Sequence, residues 1–468
     1  MNRRDFLLSS ASLAGGFALK SSLFADSRKA STKNSKKPNV LFLMSDEHDP
    51  KVLGCYGDSL IESTHLDQLA KQGHLFSSAY CQNPICVPSR ASIVTGRFPS
   101  KVGVFGNAAE KEKKINGEPV TLGNVFRDAG YRTEWLGKEH WGGDNEGLGF
   151  GQKNVAVNRD IKASKKFRSL RKKVGRLPQN ADIYDFSTDL DEDSIVADHA
   201  IQFLSNESEQ PFFLGVSFRK PHFPFLVHNK YYDAYKDKVP LPRVTQGMID
   251  DLPTQNLKHR EKYKVHEMSD SQTQKARDIY YGMIGFIDDQ VGRILSKLDE
   301  CGLREDTIIV YISDHGEMAG EHGLWYKNAF YEASAAVPMI WSYPKVLDQN
   351  KKHSAHTMLL DVFPTLCDLC SISKPDVLEG KSLLPILKGN EDGAERVAIS
   401  ETFSNPKVPG RMVRKKDFKY IYFTDGKKQL FNISKDPAEE FNLVKNPEYK
   451  EIVHELHEIC LKDFISPS

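Results

Sequence analysis

Pro38-Asn39-Val40-Leu41-Phe42-Leu43-Met44-Ser45-Asp46 sets a polar start, a continuous apolar run and an acid in one short stretch. A run of this length bounded by polar residues suits a strand buried on both faces, as in a parallel sheet, although periodicity alone does not separate it from a buried helix segment. Thr307-Ile308-Ile309-Val310-Tyr311-Ile312-Ser313-Asp314-His315-Gly316 repeats the pattern, ending on an acid, an imidazole able to bind metal and a permissive glycine. Open α/β sheets place ligands beyond the carboxyl ends of their strands. Either run alone fits a core strand with a polar end; the two together with Cys86-Val87-Pro88-Ser89-Arg90 predict a metal site at that edge. Strands and helices alternate along the chain. Asp193 to Leu204 and Arg277 to Leu298 place apolar residues at i, i+3 and i+4, as amphipathic helices do. The expectation is an α/β fold with a large mixed, mostly parallel sheet, helices on both faces and a small C-terminal antiparallel-sheet subdomain.

Between the two strands lies Cys86-Val87-Pro88-Ser89-Arg90-Ala91-Ser92-Ile93-Val94-Thr95-Gly96-Arg97. Pro88 suits the first turn of a helix, and Ser89 to Val94 continue it. Cys86 would then sit at a helix N-terminus, where free N–H groups and the macrodipole favour an anion. Cys-x-Pro-Ser-Arg followed by Thr-Gly-Arg resembles the motif of the type I sulfatases, within the alkaline phosphatase superfamily. In that family the cysteine is oxidised to formylglycine, whose hydrate offers one oxygen to attack sulfur and a second hydroxyl to expel the sulfate. The resemblance runs from about Pro38 to about residue 445. Gly137-Lys138-Glu139-His140-Trp141 is similar to the family segment that supplies a lysine and a histidine. Phe212 to Pro224, through Lys220-Pro221-His222-Phe223-Pro224, is similar to the one that supplies a second histidine. Gly320-Glu321-His322-Gly323-Leu324-Trp325-Tyr326-Lys327 is similar to the loop carrying a second lysine.

The resemblance implies Asp46, Asp314, His315 and modified Cys86 as metal ligands, with Cys86, Arg90, Lys138, His140, His222 and Lys327 as the catalytic set. It implies that the residue-86 diol attacks sulfur, that His222 helped by Lys327 protonates the leaving alcohol, and that His140 then deprotonates the remaining hydroxyl so that sulfate departs. Imidazole, which titrates near neutrality, suits both proton transfers. Carboxylate ligands suit Ca2+, Mg2+ or Mn2+. One imidazole favours Mn2+, and the family habit places calcium first. Departures from the family pattern are specific. Glu47 stands where many members carry a second aspartate, and its contact with metal stays open. Asp314-His315 replaces the common Asp-Asn pair, as in the choline-sulfatase and phosphonate-monoester-hydrolase branch. Ala336 stands where an arginine is usual.

The chain has 468 residues, 39% of them hydrophobic, with a formal net charge of +1. It is long enough for a large domain and a small one. The balance marks a globular protein without general nucleic-acid binding, while leaving a locally basic pocket open. Met1-Asn2-Arg3-Arg4-Asp5-Phe6-Leu7 resembles a twin-arginine export signal, with an h-region from Phe6 to Leu19 too short for an ordinary spanning helix. The expected organisation is a signal peptide over 1–25, a Ser-, Lys- and Asn-rich tether over 26–37, a catalytic domain over 38–389 and a C-terminal subdomain over 390–468. The product would be exported to the periplasm or beyond, with the twin-arginine machinery and a formylglycine-generating enzyme as partners. Of the seven cysteines, six remain beside Cys86, and their pairing is not deducible from spacing. Cys367 and Cys370 read as two partly buried helix residues.

Residues 151 to 190 read as irregular, with a basic run from Lys162 to Arg176 that is either a solvated insertion or a lip attracting a polyanionic glycan. Arg396 to Phe403 and Arg411 to Phe423 read as strands, Gln429 to Asn432 resembles the family's C-terminal strand, and 447–463 reads as a closing helix. The expected activity is hydrolysis of a sulfate ester on a carbohydrate. The loop from Pro221 to Phe225 resembles iduronate-2-sulfatases, whereas the Asp-His pair resembles choline sulfatase. A phosphonate or phosphate ester hydrolase shares the fold, and an unmodified Cys86 would leave a protein that binds sulfated ligands without turnover.

Overall fold

The computed structural model describes residues 37–107, 115, 119–141, 148–151 and 165–464. The expected export signal and all of the tether except Lys37 lie outside these residues, as do Lys162 to Ser164 of the basic run. From Lys37 onward the chain forms one compact unit. Among the described residues no helix is long and apolar enough to cross a membrane.

The central sheet contains β1 (Asn39–Asp46), β2 (His74–Phe76), β3 (Arg132–Gly137), β4 (Phe212–Pro221), β5 (Thr307–Ser313), β6 (Met339–Ser342) and β7 (Lys351–His353). Their spatial order is β7-β2-β6-β5-β1-β4-β3. β1 lies parallel to both neighbours, with Val40 opposite Phe213 on β4 and Ile308 on β5. Only β6 runs antiparallel to its neighbours. Every residue of β1 and β5 is buried, which explains why these strands read as unbroken apolar runs.

Alternate β1 side chains enter different cores, as a two-residue period requires. Leu41 and Leu43 pack with α4 (Glu192–Ser205) and α5 (Asp270–Glu300) on one face. Val40, Phe42 and Met44 pack with α2 (Cys86–Thr95) and α6 (Val362–Leu369) on the other. The remaining helices named here are α1 (Thr64–Lys71), α3 (Lys165–Val174) and α7 (Lys450–Leu461). α5 starts seven residues before the apolar pattern does, because its first turns are solvent-facing and held by a Ser269–Gln272 capping box rather than by the core.

Two expectations change. The irregular reading of 151–190 is corrected: its described part contains α3 and a short strand, Asp182–Tyr184, parallel to Leu226–His228. Phe167, Leu170 and Val174 form an apolar stripe that the density of basic residues obscured, and the first and last of them are buried. Arg411 to Phe423, read as strand throughout, is divided by a turn at Lys416 and Asp417 into Gly410–Lys415 and Phe418–Phe423, whereas the helix through Pro88 begins at Cys86 as expected.

Beyond the central sheet, β8 (Val397–Thr402), β9 (Gly410–Lys415), β10 (Phe418–Phe423) and β11 (Lys428–Asn432) form a four-stranded antiparallel sheet in sequence order. One face packs Val413, Tyr420 and Leu430 against Leu456 and Cys460 of α7. The other packs Met412, Ile421, Phe423 and Phe431 against Tyr80, Met318, Leu324, Phe330 and Tyr331. The small sheet therefore backs the loops that leave the carboxyl edge of the large one.

Candidate active site

Asp46 ends β1 and Asp314 follows β5, so the parallel pairing of these neighbouring strands delivers both acids to one edge. β3 ends at Gly137, whose φ of +89° suits glycine, and a Cβ there would stand 2.0 Å from the Ser217 carbonyl oxygen. That close approach places Lys138 beside β4. The turn after β4 presents His222. α2 ends on Gly96 in the left-handed region and begins at Cys86, at the same edge.

These residues converge. Cys86 Sγ lies 3.0 Å from Lys327 Nζ, 3.2 Å from His315 Nε2 and 3.7 Å from Asp46 Oδ1. His140 adds a side-chain hydrogen bond to the thiol. Arg90, fully buried, donates from Nε to Asp314 Oδ2 at 2.6 Å and from NH2 to Asp46 Oδ2 at 3.2 Å. Its NH1 donates to the Lys138 carbonyl and to Ser217 Oγ, both at 2.9 Å. Lys138 Nζ pairs with Asp46, and Lys327 Nζ with Glu47. Glu47 Oε2 stands 3.9 Å from His222 Nδ1, and the Glu47 N–H donates to Asp314 Oδ1 at 3.3 Å. Glu47 has a φ of +65°, a backbone strain held by Tyr280, whose hydroxyl donates to its carbonyl at 2.7 Å.

The charges shape each other's protonation. Burial alone would raise the Cys86 thiol, but Lys138, Lys327, His315 and the His140 hydrogen bond hold it well below its ordinary value. Burial and Cys86 also push Asp46 up, and Lys138, His222 and Arg90 outweigh them to keep it below the usual carboxylate range. His315 works against burial and is raised to about 9 by Asp314 and Cys86. His222 is lowered, by burial first and by Lys327 and Lys138, against the pull of Glu47 and Asp46.

A family model described as Sulfatase matches residues 38–372, and one described as N-sulphoglucosamine sulphohydrolase, C-terminal, matches residues 320–464. The chain belongs to the sulfatase family. This sulfatase is 32% identical over 461 residues to an arylsulfatase of Clostridium perfringens, across 91% of this chain and 94% of the relative. It is 31% identical over 432 residues to a choline-sulfatase of Rhizobium meliloti, across 88% of this chain and 83% of the relative. A solved 2-O GAG sulfatase matches it with a TM-score of 0.73 at 27% identity, covering 91% of each chain.

All nine candidate residues of the sulfatase lie in this one cluster. Asp46, Cys86, Asp314 and His315 each turn a ligand atom inward, mutually within 4.8 Å, and Asp46, Glu47 and His222 form a second such group. Two carboxylates and an imidazole suit a divalent cation. His315 fits the part in detail, because its Nδ1 faces the Gly316 carbonyl at 2.9 Å and leaves Nε2 turned inward. Arg90 braces the carboxylates of Asp46 and Asp314. Ser217 is a site residue that the sequence reading passed over; its signal is a lone hydroxyl inside the buried run of β4. Asn107 accepts the Val87 N–H at 3.1 Å and so steadies the first turn of α2.

Proposed function

We propose that the sulfatase removes sulfate from a sulfated carbohydrate, with the attacking oxygen supplied by residue 86 after its thiol is oxidised to formylglycine. The carrying observation is the convergence on Cys86 Sγ, which marks where that oxygen would lie, of Lys327 at 3.0 Å and His315 at 3.2 Å at a helix N-terminus. Asp46, Asp314, His315 and residue 86 would hold a divalent cation, with calcium preferred for its carboxylate ligands. When bound, such a cation polarises the nucleophile and offsets charge on the sulfuryl oxygens.

The other groups act around it. Arg90 fixes the two carboxylates, while Lys138 and Lys327 bring positive charge to where the transition state spreads negative charge. An arriving sulfate ester adds an anion beside His222 and raises its affinity for a proton, so that His222 with Lys327 can protonate the leaving sugar oxygen as its bond to sulfur breaks. His140, hydrogen-bonded to position 86, takes the proton of the second hydroxyl as sulfate leaves. Oxidation by a maturation enzyme, followed by twin-arginine export of the folded protein, is consistent with the Arg3-Arg4 segment.

The carbohydrate reading draws support from the 2-O GAG sulfatase neighbour and from the C-terminal match to the N-sulphoglucosamine sulphohydrolase model. Release of inorganic sulfate should be measured on sulfated monosaccharides, 4-nitrophenyl sulfate and choline sulfate, and release of the alcohol from a phenylphosphonate monoester, each with and without chelator. The expected result is chelator-sensitive turnover with the highest kcat/KM on a sulfated sugar. A preference for choline sulfate or for the phosphonate would overturn the carbohydrate assignment and leave the hydrolase.

A further inference from the structure

The site opens beside His222, whose side chain is 13% exposed while those of Lys138 and Lys327 are nearly covered. A substrate that extends out of the site on this side passes the next residue, Phe223. This half-buried ring stacks on His222 with centroids 4.0 Å apart and meets Tyr326 edge-on at 4.8 Å. Two cations approach it. Lys327 Nζ is 5.3 Å from the ring centre and Arg176 Cζ is 5.8 Å from it. Lys327 belongs to the cleavage machinery; Arg176, exposed at the end of the basic run, does not.

Arg176 is nevertheless held in place. Its carbonyl accepts a hydrogen bond from the hydroxyl of buried Tyr326, the residue before Lys327. Three residues on, Gln179 Nε2 donates to the carbonyls of Tyr263 and Lys264 at 3.2 and 3.0 Å. Tyr263 in turn packs on Tyr326 with centroids 4.8 Å apart. The Arg176 carbonyl is thus tied to the Lys327 loop and Gln179 to the 263–264 segment, which sets the backbone from which the guanidinium reaches Phe223. Nearby Arg171 and Arg219 are both engaged with Glu192, at 2.5 and 3.0 Å. Arg176 has no carboxylate partner among the described residues.

We propose that Arg176 and Phe223 form a specificity subsite for a second negative group, a carboxylate or another sulfate, carried by the sugar whose sulfate ester is cleaved. This deepens, and rests on, the sulfated-carbohydrate reading. An arginine fork matches either anion in a bidentate way. The same arrangement disfavours a quaternary ammonium, because the aromatic face that would attract one already has two cations near it. Lys172 and Lys173, in the last turn of α3 just before Arg176, add positive charge to the same stretch of chain.

The test compares wild type with Arg176→Gln, and with Arg176→Lys, on glucuronic acid 2-sulfate, glucosamine 2,6-disulfate, glucose 6-sulfate, 4-nitrophenyl sulfate and choline sulfate. For R176Q, kcat/KM on a doubly charged sugar should fall about tenfold more than on 4-nitrophenyl sulfate, mainly through KM, with R176K intermediate. The gap between doubly and singly charged sugars should also shrink with added salt in wild type and be small in R176Q. Whichever dianion loses more identifies the carboxylate or the sulfate as the natural occupant. Equal losses on all five substrates, or none, overturn the subsite while the hydrolase stands. No sulfate release from any of them by wild type overturns the parent reading and the subsite with it.

Discussion

Two clusters of buried charge lie close together in this sulfatase and are built to opposite ends. In the catalytic cluster, Asp46, Glu47 and Asp314 face Arg90, Lys138 and Lys327, and a thiol and three imidazoles crowd the same point. The second cluster lies under the small sheet, where Lys419 of β10 stands 2.5 Å from Glu332 Oε1 and 2.8 Å from Glu439 Oε1, and donates to the Phe330 carbonyl at 2.8 Å. Two carboxylates and a carbonyl oxygen therefore surround this one ammonium, and its charge is met from within the cluster. The Lys419 cluster is closed. In the catalytic cluster the acids turn ligand atoms toward a shared centre and Lys138 and Lys327 lie beside Cys86, the arrangement that the proposed function asks of a cation site next to an anionic ester. Buried charges that are mutually saturated fix geometry; buried charges that converge perform chemistry.

The two are mechanically linked. Phe330 and Glu332 follow Lys327 in sequence, Tyr80 precedes Cys86, and the Tyr80 hydroxyl donates to Glu332 Oε1 at 3.0 Å while receiving Arg414 Nε at 3.0 Å. Asn328 N–H donates to the Pro84 carbonyl at 2.9 Å, joining the same two segments. The closed cluster anchors the loops that carry the open one.

Substitutions should separate the roles. Cys86→Ala, the largest effect, should lower turnover on the order of 10^4-fold or more while leaving thermal unfolding nearly unchanged, since a small buried side chain is all that is lost. An alanine variant that unfolds early would place Cys86 in the structural class instead. Lys419→Met should cost about 3–5 kcal/mol in urea unfolding, because it strands two buried carboxylates. Lys327→Ala should reverse that profile, lowering kcat/KM about 10^2- to 10^3-fold with a smaller stability loss than Lys419→Met. If the two lysine variants lose stability and activity in the same proportion, the division between the clusters fails.

The smallest effect concerns pH. Burial pushes both glutamates of the Lys419 cluster up, but Lys419 and Arg414 overcome it at Glu332 and bring that carboxyl down to about 2. Glu439 stays raised by burial and by its like-charged neighbour, despite Lys419. A depressed folded value means that Glu332 contributes stability above its unfolded value of 4.5, and that this is lost as pH falls toward 2. Glu332→Gln should therefore cost about 1–3 kcal/mol at pH 7 and flatten the acid limb of stability against pH. Glu439→Gln should cost less at pH 7. Urea midpoints from pH 3 to 8 would show it, and a larger loss in Glu439→Gln would reverse the assignment.

Much of the catalytic cluster was legible because its parts are punctuation at strand ends and in one short motif. An acid closing an apolar run, as at Asp46 and Asp314, names its own position at the sheet edge. Cys86 and Arg90 are four residues apart on one helix, and that spacing survives folding. What could not be read is closure between segments distant in sequence. Glu47 meets Lys327 and His222 only because β1, β4 and the loop after β5 are neighbours in space. The Lys419–Glu332 pair likewise joins two segments that carry no common motif. α3 was hidden for another reason: its three apolar residues stand among lysines and arginines that the surface, not the core, accounts for.

The central claim is that residue 86 is the modified nucleophile of the open cluster. Peptide mass spectrometry of protein from its own host should be paired with sulfate-release kinetics on the same preparations, including some with incomplete maturation. The account predicts formylglycine at position 86 and turnover that rises in proportion to the fraction of chains carrying it. Full turnover by protein whose Cys86 is entirely thiol would contradict it.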